Sequence, residues 1–130
     1  MESTQEALVR KLYDRFNNAD IAGVVDLLDP EVTMPDVLQG TTLQGAEALQ
    51  RYWERHFALV DSSIKVREIV EVGDAVLVVV YQETYNRENG ELLGPGVVAV
   101  HRLAFRGERI RSIEYTGVDE VPQAVRQRLG

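Results

Sequence analysis

The chain has 130 residues, 45% hydrophobic and 27% charged, with no cysteine and a formal net charge of −7. This is the length of one domain, with enough apolar material for a core that needs no disulfides, and it excludes a disulfide framework, a thiol nucleophile and cysteine-ligated metal sites. With 21 acidic against 14 basic residues the surface repels nucleic acid and anionic membranes.

Arg109 and Arg111 are too few to track a phosphate backbone, so neither nucleic acid nor a membrane is an expected partner. The cysteine-free composition fits a reducing, cytoplasmic setting. The opening Met1-Glu2-Ser3-Thr4-Gln5-Glu6 lacks the basic and apolar regions of a signal peptide. The most apolar run, residues 75–81, is far too short to cross a bilayer.

In chain order, residues 3–18 read as a helix. Leu8, Leu12 and Phe16 recur at helical spacing beside Val9 and Tyr13, and Ser3 with Glu6 forms a capping box. Asp20 caps a second, short helix carrying Ile21, Val24, Val25 and Leu28, which ends before Pro30. Residues 31–36 form a short strand whose Pro35 points to an edge or a bulge. Gly40 and Gly45 bracket a polar connection, and a third helix follows over residues 46–59, with Ala46, Leu49, Trp53 and Phe57 along one side. The rest reads as strands: residues 64–72, 75–85, 97–105 and 109–118. Turns fall at Gly73-Asp74, Asn89-Gly90 and Arg106-Gly107-Glu108. A short last helix is expected over residues 121–129, with Pro122 in its first turn. Helices first and strands later make one α+β domain, residues 1–130, in which three helices cover one face of a long, curved antiparallel sheet. A sheet wrapped around helices leaves a cavity at its open end.

The stretch Asp20-Ile21-Ala22-Gly23-Val24-Val25-Asp26-Leu27-Leu28, the strand from Glu31 to Asp36, the Leu43-Gln44-Gly45-Ala46-Glu47-Ala48-Leu49 entry into the third helix with Tyr52-Trp53 following, and Leu103-Ala104-Phe105 through Gly107, Arg109 and Ile110 resemble the nuclear transport factor 2-like superfamily, in its SnoaL-like and ketosteroid isomerase-like branches. The resemblance runs from about Leu8 to Val118. It implies a cone-shaped, cystatin-like α+β barrel, frequent homodimers, and functions ranging from isomerases, polyketide cyclases, dehydratases and epoxide hydrolases to non-enzymes. Fold alone does not choose among them.

Alternation along the strands places candidates in the cup. With Val79 taken as pointing inward, Tyr81, Glu83 and Tyr85 follow. The next strand then contributes Val97, Ala99, His101, Leu103 and Phe105, and the last strand Ile113, Tyr115 and Gly117. The expected ligand wall comprises Tyr13, Phe16, Trp53, Phe57, Tyr81, Glu83, Ala99, Leu103 and Tyr115. Phe16, Trp53 and Phe57 lie at core spacing, where packing is their first role. Two residues carry the expected chemistry. Asp36 falls where the resemblance implies a general base, and a carboxylate in an apolar cup is a better proton acceptor; its alternative is a solvated turn residue after Pro35. His101 falls where the resemblance implies a hydrogen-bond donor to a developing enolate; its alternative is a core histidine satisfied by its neighbours. Glu83 is expected to pair with His101 or Arg111, and His56 to lie on the surface. The resemblance also shows departures. The oxyanion tyrosine of the isomerase branch falls on Leu12, with Tyr13 about 100° further round the helix. Of the epoxide hydrolase branch's two aspartates and an arginine, only Glu83 is acidic, with Tyr81 and Tyr115 in the other places.

The two histidines lack metal-ligand spacing, so no metal is expected, and nothing calls for a cofactor. The expectation is proton-transfer chemistry of isomerase or cyclase type on a small, apolar, carbonyl-containing molecule. The alternative is a non-catalytic ligand-binding or assembly domain of the same fold. A homodimer is expected through the outer face of the sheet, where Val76, Val78, Val80, Val98 and Val100 are assigned.

Overall fold

The computed structural model describes residues 3–36, 39–117 and 121–129; the expected strand end at Val118 and the first two residues of the expected polar leader lie outside them. Helix α1, Thr4–Asn17, begins where the Ser3 hydroxyl accepts the Glu6 backbone N–H at 3.1 Å, one half of the expected capping box. The same hydroxyl donates to Glu71, which ties the helix start to the sheet. Asp20 caps α2, Ile21–Val25, by accepting the Gly23 N–H at 3.0 Å. A Cβ at Gly23 would collide with the capping Asp20 carboxylate, so a larger residue there would have to displace the cap.

Strand β1, Leu28–Asp36, is followed by β2, Thr41–Gln44, and then α3, Ala46–Leu59. The stretch read as a polar connection is therefore an edge strand that pairs antiparallel with β1 from Thr33↔Gln44 to Asp36↔Thr41. Pro35 sits beyond the last β1 pairing with β6, at Thr33↔Ser112, and past a register shift, so its missing N–H costs the ladder nothing there. Strands β3, Val60–Val72, β4, Ala75–Asn86, β5, Val97–Arg106, and β6, Arg109–Thr116, form an antiparallel meander, and α4, Gln123–Leu129, closes the described chain. The sheet is curved and unclosed, in the order β2-β1-β6-β5-β4-β3. It is mixed, since β1 runs parallel to β6.

The edge strand β3 is capped from α1. The Asn17 side-chain amide donates to the Ile64 carbonyl and accepts the Ile64 N–H, each at 2.8 Å, replacing one rung of the strand partner that β3 lacks.

Two apolar layers sandwich the sheet. On the concave side Val76, Val78, Val80, Leu103, Ile110 and Ile113 pack with Val9 and Leu12 of α1 and with Leu49, Trp53 and Phe57 of α3. On the convex side Leu77, Val79 and Val100 pack under Val121 and Val125. This reverses the inward assignment made for β4. The register sets Val78 opposite His101, Val80 opposite Ala99 and Val76 opposite Leu103, so the even-numbered residues of β4 share the concave face with the odd-numbered residues of β5. Residues 75–80 are all buried because α4 covers the second face, and alternation is invisible in such a run. Tyr81, Glu83 and Tyr85 thus share the convex face with Val79.

The inward assignment of β5 and of Ile113 and Tyr115 stands, but the turn between these strands differs from the expected one. Arg106 pairs with Arg109 across Gly107-Glu108, Phe105 pairs with Ile110, and a bulge at Ala104/Phe105 restores Leu103 opposite Ile113. The corrected faces also dissolve the apolar exterior expected to hold a dimer. Val76, Val78 and Val80 are core, Val100 lies under α4, and of the five only Val98 stays exposed.

Trp53 is buried between α1 and the sheet, with Phe16 edge-on to its ring at 6.3 Å. Trp53→Ala should lower stability by about 3–5 kcal/mol. Chemical denaturation checks this, and an unchanged midpoint would rule the packing out.

Candidate functional site

The open end of the sheet holds a pocket of about 640 Å³. Helix α1 contributes Leu12, Tyr13 and Phe16 to its wall, β1 Met34, α3 Trp53, β3 Ile64, β4 Gln82, β5 residues 97–101 and β6 Ile113, Tyr115 and Thr116. None of these side chains is an Asp, Glu, Lys or Arg.

At the inner end the Tyr13 hydroxyl and His101 Nδ1 lie 2.7 Å apart, both residues buried, with their rings stacked at 5.8 Å. Tyr115, which pairs with His101 across β5 and β6, sets its ring edge-on to the imidazole at 5.3 Å. Burial disfavours the charged imidazolium and pulls the His101 pKa down to about 4. Burial also pushes the Tyr13 hydroxyl far above the usual phenol range, reinforced by Tyr115. Tyr115 is pushed up to about 12, mainly by burial and then by Tyr52 and Asp36. Its ring is nevertheless half exposed, so solvent screens part of this effect. At neutral pH the cluster is therefore uncharged and fully protonated as far as its phenols go. If Tyr13 donates to Nδ1, the Nε2–H of His101 is free to donate. If Nδ1–H donates to Tyr13, the phenol keeps its own proton to give. In either tautomer the pair retains one donor for a third group.

Asp36 lies in an adjoining pocket of about 240 Å³, with Gln39, Tyr52, Arg55, His56, Leu59 and Val60. It is buried, and one carboxylate oxygen accepts the Gln39 N–H at 3.2 Å. After burial, its charge is among the causes that raise the pKa of Tyr52, which lines the same pocket, and of Tyr115, which lines the larger one. Asp36 is thus not a solvated turn residue, but it does not line the cavity that His101 lines.

Of the expected wall, Tyr13, Phe16, Trp53, Ala99, His101 and Tyr115 line the larger pocket. Phe57 packs behind Phe16, ring centres 4.9 Å apart, and Leu103 is fully buried one inward position below His101 on β5. Tyr81 lies on the convex face under Arg67, whose guanidinium carbon is 5.1 Å from the ring centre. Glu83 is also there, hydrogen-bonded to Tyr85 and not to His101 or Arg111. These two are corrections that follow from the β4 parity. His56, expected on the surface, is half-buried against Phe16, Tyr52 and Phe57, with Nε2 3.1 Å from the Ser62 hydroxyl. Gln82 and the Tyr13–His101 bond were not foreseen. The first follows from parity once Val78 is known to face inward. The second needs the azimuth of α1, which sequence spacing does not supply. Among the described residues no three of His, Cys, Asp or Glu gather as a metal ion would require, and no helix is long and apolar enough to cross a membrane.

The SnoaL-like domain family model matches residues 9–113. The chain belongs to that family. Among solved structures, this SnoaL-like chain is similar to an NTF2-like protein of unknown function from Burkholderia pseudomallei, at 22% identity and a TM-score of 0.75 over 98% of this chain and 97% of that one. It is also similar to a hypothetical protein with a ketosteroid isomerase-like fold from Catenulispora acidiphila in complex with trimethylamine, at 18% identity and a TM-score of 0.73 over 85% and 84%. A third likeness is to TerC co-crystallised with polyporic acid, at 20% identity and a TM-score of 0.74 over 96% and 97%. No curated protein matches the sequence significantly. At these identities the solved structures establish the NTF2-like cone and leave the chemistry to the site.

The lowered His101 pKa has a consequence for stability. The unfolded chain takes up a proton at this histidine near pH 6.5, whereas the folded chain resists until about pH 4. His101 therefore stabilises nothing extra above pH 6.5 and favours unfolding as pH falls from 6.5 toward 4, by on the order of 3 kcal/mol at the lower end. His56, lowered by its own burial, acts in the same direction. His101→Phe should flatten the loss of stability between pH 6.5 and 4 relative to the parent, read as the difference between two denaturation series. Parallel curves would contradict a buried neutral imidazole.

Proposed function

We propose that this SnoaL-like protein binds a small, uncharged, largely apolar molecule and moves a proton on it, as an isomerase or cyclase of cofactor-free type acting in a reducing, cytoplasmic setting. The reading is carried by the Tyr13–His101 hydrogen bond, a neutral donor pair at the inner end of an otherwise apolar pocket. A ligand carbonyl that accepts from this pair becomes electrophilic, and an enolate formed from it is stabilised where water is largely excluded. Asp36 is the base in this scheme. Its carboxylate takes the proton from the carbon next to the carbonyl, the C–H electron pair moves into the enolate, and the same proton is returned to another carbon or oxygen of the substrate. Tyr115 lines the pocket edge-on to His101. The co-crystallisation of TerC with polyporic acid lends support to a small organic ligand for this fold.

A second reading, a non-catalytic ligand-binding domain, is favoured by one observation: Asp36 opens into the smaller pocket and not into the one that His101 lines. The two readings separate on variants. Asp36→Asn keeps the shape and removes the proton acceptor, so turnover should fall by about 10²–10⁴-fold while binding persists. His101→Gln keeps a donor and should be the milder of the two. An Asp36→Asn protein with full turnover on a substrate of the parent would end the catalytic reading.

A homodimer is proposed instead through the exposed Leu92, Leu93, Val97 and Val98, which lie beside the outer half of β4. Light scattering at micromolar concentration should give twice the 14.6 kDa chain mass, and a single-chain mass would exclude the pairing.

A further inference from the structure

Gln82 is a polar side chain of the pocket wall, at the point of β4 where the cover over both faces stops. Its neighbours across the sheet are Ile64 on β3 and Val97 on β5, and the preceding residue on its face is the fully buried Val80. The amide is half-buried, lines the pocket, and makes no side-chain hydrogen bond among the described residues. Among the described residues no buried side-chain nitrogen or oxygen lacks a partner, so the Gln82 amide meets solvent at the open end of the pocket, where a ligand would take the place of that water. The absence of a protein partner leaves both its donor and its acceptor free to meet a ligand.

Its distance from the Tyr13–His101 pair sets a length. Val97, which faces Gln82, stands four residues before His101 on β5, a strand distance of roughly 13 Å. The side chains at both ends reach into the cavity and leave roughly 8–10 Å between the atoms they would bind. Between them the walls are Ile64, Ala99, Trp53 and Phe16, with no charged group.

We propose that Gln82 is the distal specificity determinant of the pocket, hydrogen-bonding the far oxygen of an uncharged, elongated molecule whose near oxygen is held by the Tyr13–His101 pair. The substrate class is then an elongated, apolar framework with oxygen at both ends, and singly oxygenated molecules of the same length are discriminated against. This rests on the reading of the cavity as a small-molecule site, and the test keeps the two apart.

The probes are para-phenylphenol and para,para′-biphenol, which share a framework of the required length and differ only in the far hydroxyl. Titration calorimetry on the folded parent should show biphenol binding about 3–10-fold more tightly, the worth of one neutral hydrogen bond. Gln82→Leu should bind the two probes equally, by weakening biphenol and keeping or improving phenylphenol. Gln82→Met, which keeps the side-chain length, should do the same and guards against a folding defect in the first variant. Equal affinities in the parent, or a preference for biphenol that survives in both variants, would overturn the role of Gln82 and leave the small-molecule site standing. If neither probe binds the folded parent, the small-molecule reading falls, and the role of Gln82 falls with it.

Discussion

The hydrogen bond between Tyr13 and His101 is the contact on which the site depends, because it is a polar bond in a place that does not tolerate a polar group alone. Both residues are buried, and everything else within the wall around them is apolar apart from Tyr115 and the outer Gln82 and Thr116. A phenol or an imidazole left unpaired there would cost about 1–3 kcal/mol, and the bond is stronger for being out of water. It also fixes geometry. Tyr13 belongs to α1 and His101 to β5, so the bond forms only when α1 lies against the concave face with its Val9–Leu12–Tyr13 side inward. Ser3 on Glu71 and Asn17 on Ile64 hold the two ends of that same helix to the edge strand. The consequence is chemical: an imidazole kept neutral, and a pair with exactly one proton to offer a ligand.

The sheet supports this arrangement because its central strands are buried on both faces. Residues 75–80 of β4 bury one set of side chains under α1 and α3 and the other under α4. Past Val80 this double cover stops, and the strand carries polar residues outward from there: Gln82 into the pocket, Tyr81 and Glu83 onto the convex face. The closed core and the open pocket are therefore consecutive parts of the same strands. The site is buried at the His101 end, and at the Gln82 end it is walled by the exposed Val97 and Val98.

The fold was legible because its signals are local. The Ser3 cap, the Asp20 cap, the Leu49–Trp53–Phe57 stripe and the Asn89-Gly90 turn each act within a few residues, and each stands as read. The face of β4 was not legible. A run of Ala-Val-Leu-Val-Val-Val has no period when both sides are covered, and the cover comes from a helix some fifty residues later. Choosing Val79 as the inward anchor therefore placed Tyr81 and Glu83 in the pocket and hid Gln82. On β5 the alternation of Ala99, His101 and Leu103 survived, since those residues differ in character from Val98, Val100 and Arg102. The strand β2 escaped because Thr-Thr-Leu-Gln between two glycines reads as turn chemistry until β1 is there to pair with it. Asp36 was found as a residue, but its place in a pocket with Tyr52, Arg55 and His56 of α3 depends on how α3 packs beside β1, which no spacing rule conveys.

The central claim, that a neutral Tyr13–His101 pair presents one proton to a bound ligand, is tested most directly by nitrogen NMR of the His101 ring in the presence and absence of para,para′-biphenol. The account predicts one neutral tautomer that persists from pH 5 to 8, with Nδ1 or Nε2 shifting when the ligand saturates the pocket. An imidazole that titrates near pH 6.5, or ring nitrogens that do not respond to a saturating ligand, would contradict it.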